Sequence, residues 1–157
     1  MRMYFKQRFF SLLDRYDIYD EQSNILYTVK SKLDRGHILK VYDRNSLHVA
    51  TLREKAVAYL AGFDIYIGGE YIGCIKKEFT VFKPIFDYNY NGWSMTGDWL
   101  EWEYSIVDKK GDHIAFVSKK LFKITDQYVI DVYNPDNAQD MLMAVLAIDV
   151  QKCSKGK

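Results

Sequence analysis

The stretch PDNAQDMLMAVLAIDVQKC, from Pro135 to Cys153, decides the fold. Pro135 suits the entry to a helix, Asp136 offers an N-cap side chain with Gln139 three residues on as a capping-box partner, and Asp140 places an acid in the first turn. The pattern predicts a helix from about Asn137 to Lys152. Met141 to Ile148 are eight consecutive apolar residues, so apolar side chains point in every direction around the axis. Such a helix has no polar face to give to solvent and must be enclosed. Burying its large side chains at roughly 1.5 to 3 kcal/mol each contributes on the order of 10 kcal/mol, an upper bound because the unfolded chain is itself compact. This run of eight is also the longest apolar run in the chain, well short of the roughly twenty residues that span a bilayer, so a soluble protein is expected.

What encloses the helix is read from the rest of the 157 residues. Pro84 and Pro135 are the two prolines, and glycines stand singly or in pairs between short segments rich in Val, Ile, Tyr, Phe and Trp, a pattern of many strands. Turn chemistry recurs at DEQSN (Asp20 to Asn24), DRNS (Asp43 to Ser46), GGE (Gly68 to Glu70) and DKKGD (Asp108 to Asp112), each flanked by apolar alternation, which predicts four hairpins. The returning strands resemble one another: Leu26 to Lys30, Val49 to Arg53, Ile72 to Lys76 and Ile114 to Ser118 each begin on an aliphatic residue and, but for the last, end on a cation. The last two continue into Lys76-Lys77 and Lys119-Lys120. Their irregular spacing suits a meander of hairpins curled around the helix better than a solenoid. Between Val49 and Leu52 and between Ile72 and Ile75 both faces are apolar, and alternation leaves the inward face open there.

The order of YDIYDEQSNILYTVKSKL, LKVYDRNSLHVATLREK, IYIGGEYIGCIKKEFTVFKPIF, WSMTGDWLEWEYSIVDKKGDHIAFVSKK, DQYVIDV and a terminal LAIDV resembles the bacterial LURP-one-related family, within the tubby C-terminal-like superfamily. The resemblance covers nearly the whole chain and implies one domain over residues 1–157, mainly β: a closed barrel of about twelve antiparallel strands around the hydrophobic C-terminal helix. Closure of that kind leaves no exposed strand edge. The superfamily also implies phosphoinositide headgroup binding through clustered Lys and Arg, and kinship with scramblases. The Pro-rich leader, acylated Cys cluster and terminal membrane segment of scramblases are not found in this sequence, so lipid translocation is not expected.

Charge and chemistry narrow the function classes. Twenty-two Lys and Arg against twenty-one Asp and Glu leave a formal charge of +1, with no global field to gather nucleic acid, and none is expected as a partner. Cys74 and Cys153 are the two cysteines; they offer no disulfide framework and no metal-ligand spacing, which suits a cytoplasmic location. Cys74 reads as a small strand hydrophobe and Cys153 as part of the helix end. Arg2, Lys6 and Arg8 precede no apolar run of signal-peptide length, so no signal peptide is expected. His37, His48 and His113 fall on predicted strands without HxH or HExxH spacing, so no metal or cofactor is expected. On a strand through DWLEWEYSIV, Leu100, Trp102, Tyr104 and Ile106 would face the core, with Trp99, Glu101, Glu103 and Ser105 opposite. Glu101 and Glu103 would then lie roughly 6.5 to 7 Å apart, the separation of an inverting carboxylate pair, but two acids on one flat face do not flank a scissile bond.

The basic side is more informative. Lys109, Lys110, Lys119, Lys120 and Lys123 cluster around Asp112, and Lys76, Lys77 and Lys83 lie in an analogous hairpin and the segment after it. We therefore take Lys76, Lys77, Lys83, Lys119, Lys120 and Lys123 as the candidate ligand-binding residues. The expected function is a non-enzymatic intracellular binding domain that recognises an anionic ligand, a lipid headgroup or a protein partner at the basic hairpin ends, and is peripheral at the membrane where that ligand is an anionic phospholipid. The alternatives are a protein-interaction or scaffold domain using the exposed aromatics of Met95 to Glu103 and, third, a hydrolase using Glu101 and Glu103; Trp93 and Trp99 beside acids would also suit a sugar or a cation.

Overall fold

The computed structural model describes residues 1–6, 15–55, 62–79, 84–89, 91–98, 101–120 and 127–154. Among them run β1 (Arg2–Lys6), β2 (Arg15–Tyr19), β3 (Ile25–Leu33), β4 (His37–Asp43), β5 (His48–Lys55) and β6 (Gly62–Ile67). There follow β7 (Glu70–Phe79), β8 (Pro84–Tyr88), β9 (Trp93–Asp98), β10 (Glu103–Val107), β11 (His113–Lys120) and β12 (Gln127–Val132). A 3₁₀ turn (Pro135–Asn137) leads into α1 (Ala138–Ser154). Every strand pairs antiparallel with its sequence neighbours, and β1 also pairs with β12 over five positions. β1 meets β2 over two, Tyr4↔Tyr19 and Phe5↔Ile18, so each of the twelve described strands has hydrogen-bonded neighbours on both sides.

The predicted hairpins are the β2–β3, β4–β5, β6–β7 and β10–β11 connections, and three of them share one lock. Asp20 Oδ1 accepts hydrogen bonds from the backbone N–H of Gln22 (2.9 Å) and Asn24 (2.8 Å). Asp43 Oδ1 accepts likewise from Asn45 (2.8 Å) and Leu47 (2.9 Å), and Asp108 Oδ1 from Lys110 (2.8 Å) and Asp112 (3.0 Å). The fourth residue of each loop is left-handed: Ser23 at φ 65°, Ser46 at 63° and Gly111 at 87°. An aspartate that satisfies two loop amides lets a short connection reverse the chain without unpaired donors.

Residues Met141 to Ile148 of α1 are each between 0 and 2% exposed, enclosed as their pattern requires. The inner face of the sheet supplies the cover: Val29, Leu39, Val41, Leu52, Ile65, Ile75, Ile106, Val117 and Ile130 belong to the same buried cluster as the helix. Strand alternation settles the ambiguous faces. Ala50 and Leu52 point inward with Ile65, and Ile75 with Phe63, which leaves Cys74 on the outer side opposite Asp64.

Two expectations need correcting. The helical segment is entered through a 3₁₀ turn capped by Asn134, whose side chain accepts from the Asp136 N–H at 3.1 Å; Asp136 lies inside that turn, and α1 proper begins at Ala138 and extends to Ser154. Pro135 has no N–H, so the capping side chain stands before it. DWLEWEYSIV is also not one strand. β9 ends at Asp98, whose side chain accepts from the Glu101 N–H at 3.2 Å, and Trp102 sits at φ 60° before β10 starts at Glu103.

Candidate functional site

In a strand, alternate residues share a face, and residues directly opposite across a ladder share it too. With Val29, Leu39, Val41 and Leu52 inward, the residues between them face out. On β2, β3 and β4 the register aligns Arg15↔Lys30 and Lys30↔Lys40. The next row runs Lys32↔Ile38, Ile38↔Arg53, Arg53↔Asp64 and Asp64↔Cys74. A third aligns Lys55↔Gly62 and Gly62↔Lys76. Arg15, Lys30, Lys32, Lys40, Arg53, Lys55 and Lys76 are all exposed. Seven cations from five strands thus occupy the outer face of β2–β7.

Alternation places Asp17, Asp64 and Glu78 on that face too, and the first two are engaged. Asp17 accepts from Thr28 Oγ1 at 2.6 Å and lies 3.7 Å from an Arg15 nitrogen. Asp64, buried, lies 2.7 Å from Lys55 Nζ, and this hydrogen-bonded partner is the main reason the lysine's pKa is raised. Lys30 Nζ sits 4.6 Å from the centroid of the Tyr42 ring, a cation–π contact. Among the described residues no ion pair engages Lys32, Lys40 or Arg53, and Lys76 stands opposite Asp87 on β8. Tyr71 borders the patch, its phenol 53% exposed on average over the residue and its pKa raised first by partial desolvation and then by its neighbours Cys74 and Asp64.

Of the residues expected from sequence, Lys76 belongs to this face. Lys77 stands on β7 opposite Phe86; Lys83 and Lys123 lie outside the described residues. β7 and β11 end on the same rim of the sheet, with β8, β9 and β10 between them. Lys119 pairs with Tyr128, a buried inner residue, and Lys120 with Gln127, so the two lysines point to opposite sides of the sheet. Lys109 and Lys110, in the β10–β11 loop, are a strand's length from Lys119 and Lys120 and form no cluster with them.

The other candidates are not assembled into a site. Glu101 is in the β9–β10 turn and Glu103 on a strand, so the regular two-residue separation expected for a carboxylate pair does not exist. Trp102, expected on the core face, is 3% exposed and Trp93 is 9% exposed, while Trp99, the aromatic expected on the opposite face, lies outside the described residues. Trp102 is held by rings, its centroid 4.1 Å from Tyr128 and 5.8 Å from Phe5. The histidines begin three separate strands; His37 donates its backbone N–H to Glu54 Oε2, and the His48 ring bonds Thr51 Oγ1. Among the described residues no group of three His, Cys, Asp or Glu could hold a metal ion, and no helix is long and apolar enough to cross a membrane.

Among the described residues, clefts also open elsewhere on the surface. One, of about 270 Å³, opens at the junction of β1 and β2 and is lined by Tyr4, Tyr19, Asp20, Glu21, Ser23 and Gln127. Another, of about 400 Å³, surrounds the Arg2–Asp131 ion pair and is lined by Met1, Phe116, Val132 and Tyr133.

Sequence reading missed Arg15, Lys30, Lys32, Lys40, Arg53 and Lys55 as a group. The local signal was present as cations alternating with apolar residues in TVKSKL and TLREK. What the linear sequence lacked was the register that sets Lys40 beside Lys30 and Arg15.

Comparison with known proteins agrees on kinship. The family model described as LURP-one-related matches residues 1–149. The chain is 26% identical over 133 residues to the uncharacterised protein YxjI of Bacillus subtilis (strain 168), covering 84% of this chain and 82% of that one. No solved structure matches it.

Proposed function

The chain belongs to the LURP-one-related family, and from that premise we propose that it is a non-catalytic binding domain for an anionic ligand, held on the outer face of β2–β7. In this reading the twelve strands are the tubby-like closed barrel, a rigid scaffold for a charged surface. The ligand is the headgroup layer of acidic phospholipids, and the protein works in the cytoplasm, peripheral at the membrane.

The observation that supports this is the row Arg15, Lys30, Lys40. Like charges directly opposite on adjacent strands destabilise a sheet, by roughly 0.2–1 kcal/mol per pair. A fold that needed only stability has no use for them. An anionic partner converts the same repulsion into attraction. Seven cations against Asp17, Asp64 and Glu78 leave a local charge of four; at about 1 kcal/mol per basic residue near an acidic bilayer, that gives a dissociation constant of roughly 1 mM. Such binding is reversible and sensitive to salt.

The test is flotation with phosphatidylcholine vesicles with and without phosphatidylserine, at low and high salt. The wild-type chain is expected to float only with the acidic vesicles at low salt, and Lys30→Glu/Lys40→Glu to stay at the bottom. Equal absence of flotation with both lipids sinks the reading.

A second reading, a protein partner seated in the cleft around Arg2 and Asp131, is favoured by one observation. Met1, Phe116 and Tyr133, exposed by 41%, 37% and 64%, gather at its rim. A pull-down unaffected by Phe116→Ser/Tyr133→Ser removes it.

A further inference from the structure

In an antiparallel meander every second connection emerges at the same end, so the β2–β3, β4–β5 and β6–β7 tips stand on one rim of the sheet. The start of β1 and the end of β12 reach the same rim beside β2, where the Val132 N–H donates to Met1 O. Each tip holds a large apolar side chain out in water: Ile25 is 40% exposed, Leu47 62% and Tyr71 53%. Met1 and Tyr133, at the β1–β12 junction, are exposed as well. Turns favour polar residues, and an apolar side chain left in water there adds nothing to the core. One such residue is unremarkable on any surface, but its recurrence on three successive tips and at the junction beside them builds an apolar margin.

The same margin is acidic and preformed. Asp20, Glu21, Asp43, Glu70 and Asp136 stand on it against Arg44 and the Met1 amino group, an excess of three negative charges. Asp20 Oδ2 accepts from the Asn24 side chain at 3.0 Å while Oδ1 holds the loop amides, and Asp43 holds its own loop in the same way. Loops locked by their own aspartates lose little freedom when a partner covers them. The charge here is opposite in sign to that of the outer face of β2–β7, so the two surfaces suit different partners, and these carboxylates repel an acidic bilayer.

We propose that this rim docks a basic amphipathic helix of a partner protein, with the apolar stripe of that helix on Ile25, Leu47 and Tyr71 and its Lys or Arg residues beside Glu21, Asp43 and Glu70. Neighbouring strands lie about 4.8 Å apart, so consecutive hairpins are separated by roughly 10 Å. Residues seven apart on one face of a helix rise by about 10.5 Å, which matches that spacing, and about thirteen residues reach from the first tip to the third. Charge complementarity sets the sign of the partner, and the exposed apolar side chains set its stripe. The surface is separate from the cationic face and stands or falls without the anionic ligand; Met1 and Tyr133, which border the Arg2–Asp131 cleft, form its flank.

The probe is a labelled synthetic helix of about fourteen residues, leucines on one face and lysines on the other, titrated with the full chain at physiological salt and read by fluorescence anisotropy. The same helix with glutamate in place of lysine is the control. The lysine helix is expected to bind and the glutamate helix not. Leu47→Ser/Tyr71→Ser should weaken binding roughly tenfold, through two apolar side chains that the helix no longer covers. Glu21→Lys/Glu70→Lys should abolish it by reversing the charge, while Leu33→Ser, an exposed residue at the far end of β3, should leave it unchanged. All these side chains face solvent, so melting temperatures are expected to stay at the wild-type value. No binding of the lysine helix, equal binding of both helices, or indifference to the tip variants overturns the proposal. Sedimentation that shows the chain pairing with itself, and Leu47→Ser/Tyr71→Ser dissolving the pair, also overturns it, because the occupant is then a second copy.

Discussion

Lys55 does not face Asp64 in the ladder; its partner is Gly62, yet its Nζ lies 2.7 Å from Asp64 Oδ1 on the diagonal. The two ends of this pair live in different environments, the lysine side chain 45% exposed and the aspartate 11%. Removing them should therefore have unequal effects. Lys55→Met leaves a buried carboxylate without its cation and is expected to cost roughly 1–3 kcal/mol, whereas Asp64→Asn frees a half-exposed lysine that water solvates and should cost less. Because the pair raises the Lys55 pKa, its contribution is complete below the ordinary lysine range and fades as pH rises through the raised value. Urea titrations of both variants at neutral and strongly alkaline pH check the order and its disappearance.

Asp140 gives a pH dependence in the acid range. It lies in the first turn of α1, and burial raises its pKa. A carboxyl whose pKa is higher folded than unfolded favours the fold most while protonated, below the ordinary carboxylate range, and that contribution is lost as pH rises through the raised value. Asp140→Asn is accordingly expected to be more stable than the wild type at neutral pH and indistinguishable from it in strong acid. Thermal melts at the two conditions measure this; a neutral-pH loss would mean that the favourable helix-terminus charge outweighs desolvation.

Gly97 and Gly111 separate backbone strain from crowding. Both are left-handed, at φ 119° and 87°. A Cβ at Gly97 would come within 2.7 Å of Glu103 O and 2.8 Å of Tyr104 Cα, while one at Gly111 meets nothing within 4 Å. Gly111→Ala should cost about 1–2 kcal/mol from the backbone alone. Gly97→Ala adds a clash with backbone that cannot rotate away, and a loss of at least about 3 kcal/mol is expected in denaturant midpoints.

These contrasts show which parts of the fold sequence can convey. α1 was legible because eight apolar residues in a row leave a helix no exposed side, and the Asp-led loops because one aspartate locks each turn locally. The break between β9 and β10 was not, because it depends on Trp102 at φ 60°, which no local preference of tryptophan favours. How the cations group in space was hidden for the same reason. Adjacent lysines such as Lys119 and Lys120 look like a cluster in one dimension and diverge on a strand, whereas Arg15, Lys30 and Lys40 are distant in sequence and adjacent in space.

That adjacency yields the sharpest prediction. Lys40 faces Lys30 on one side and Thr51 on the other, and Lys30 faces Arg15. If the row is retained for an anionic ligand, stability and binding should move in opposite directions when it is relieved. Lys40→Thr removes one like-charge opposition and installs a residue with good strand propensity beside Thr51; it is expected to raise stability by roughly 0.2–1 kcal/mol. The same change should weaken association with acidic vesicles by about 1 kcal/mol, near fivefold. Added salt screens both effects and should shrink them together. Paired urea melts and vesicle titrations over a salt series provide the measurement. A variant that loses stability, or binds acidic vesicles as well as the parent, would show that the opposed cations are kept for the fold and not for a ligand.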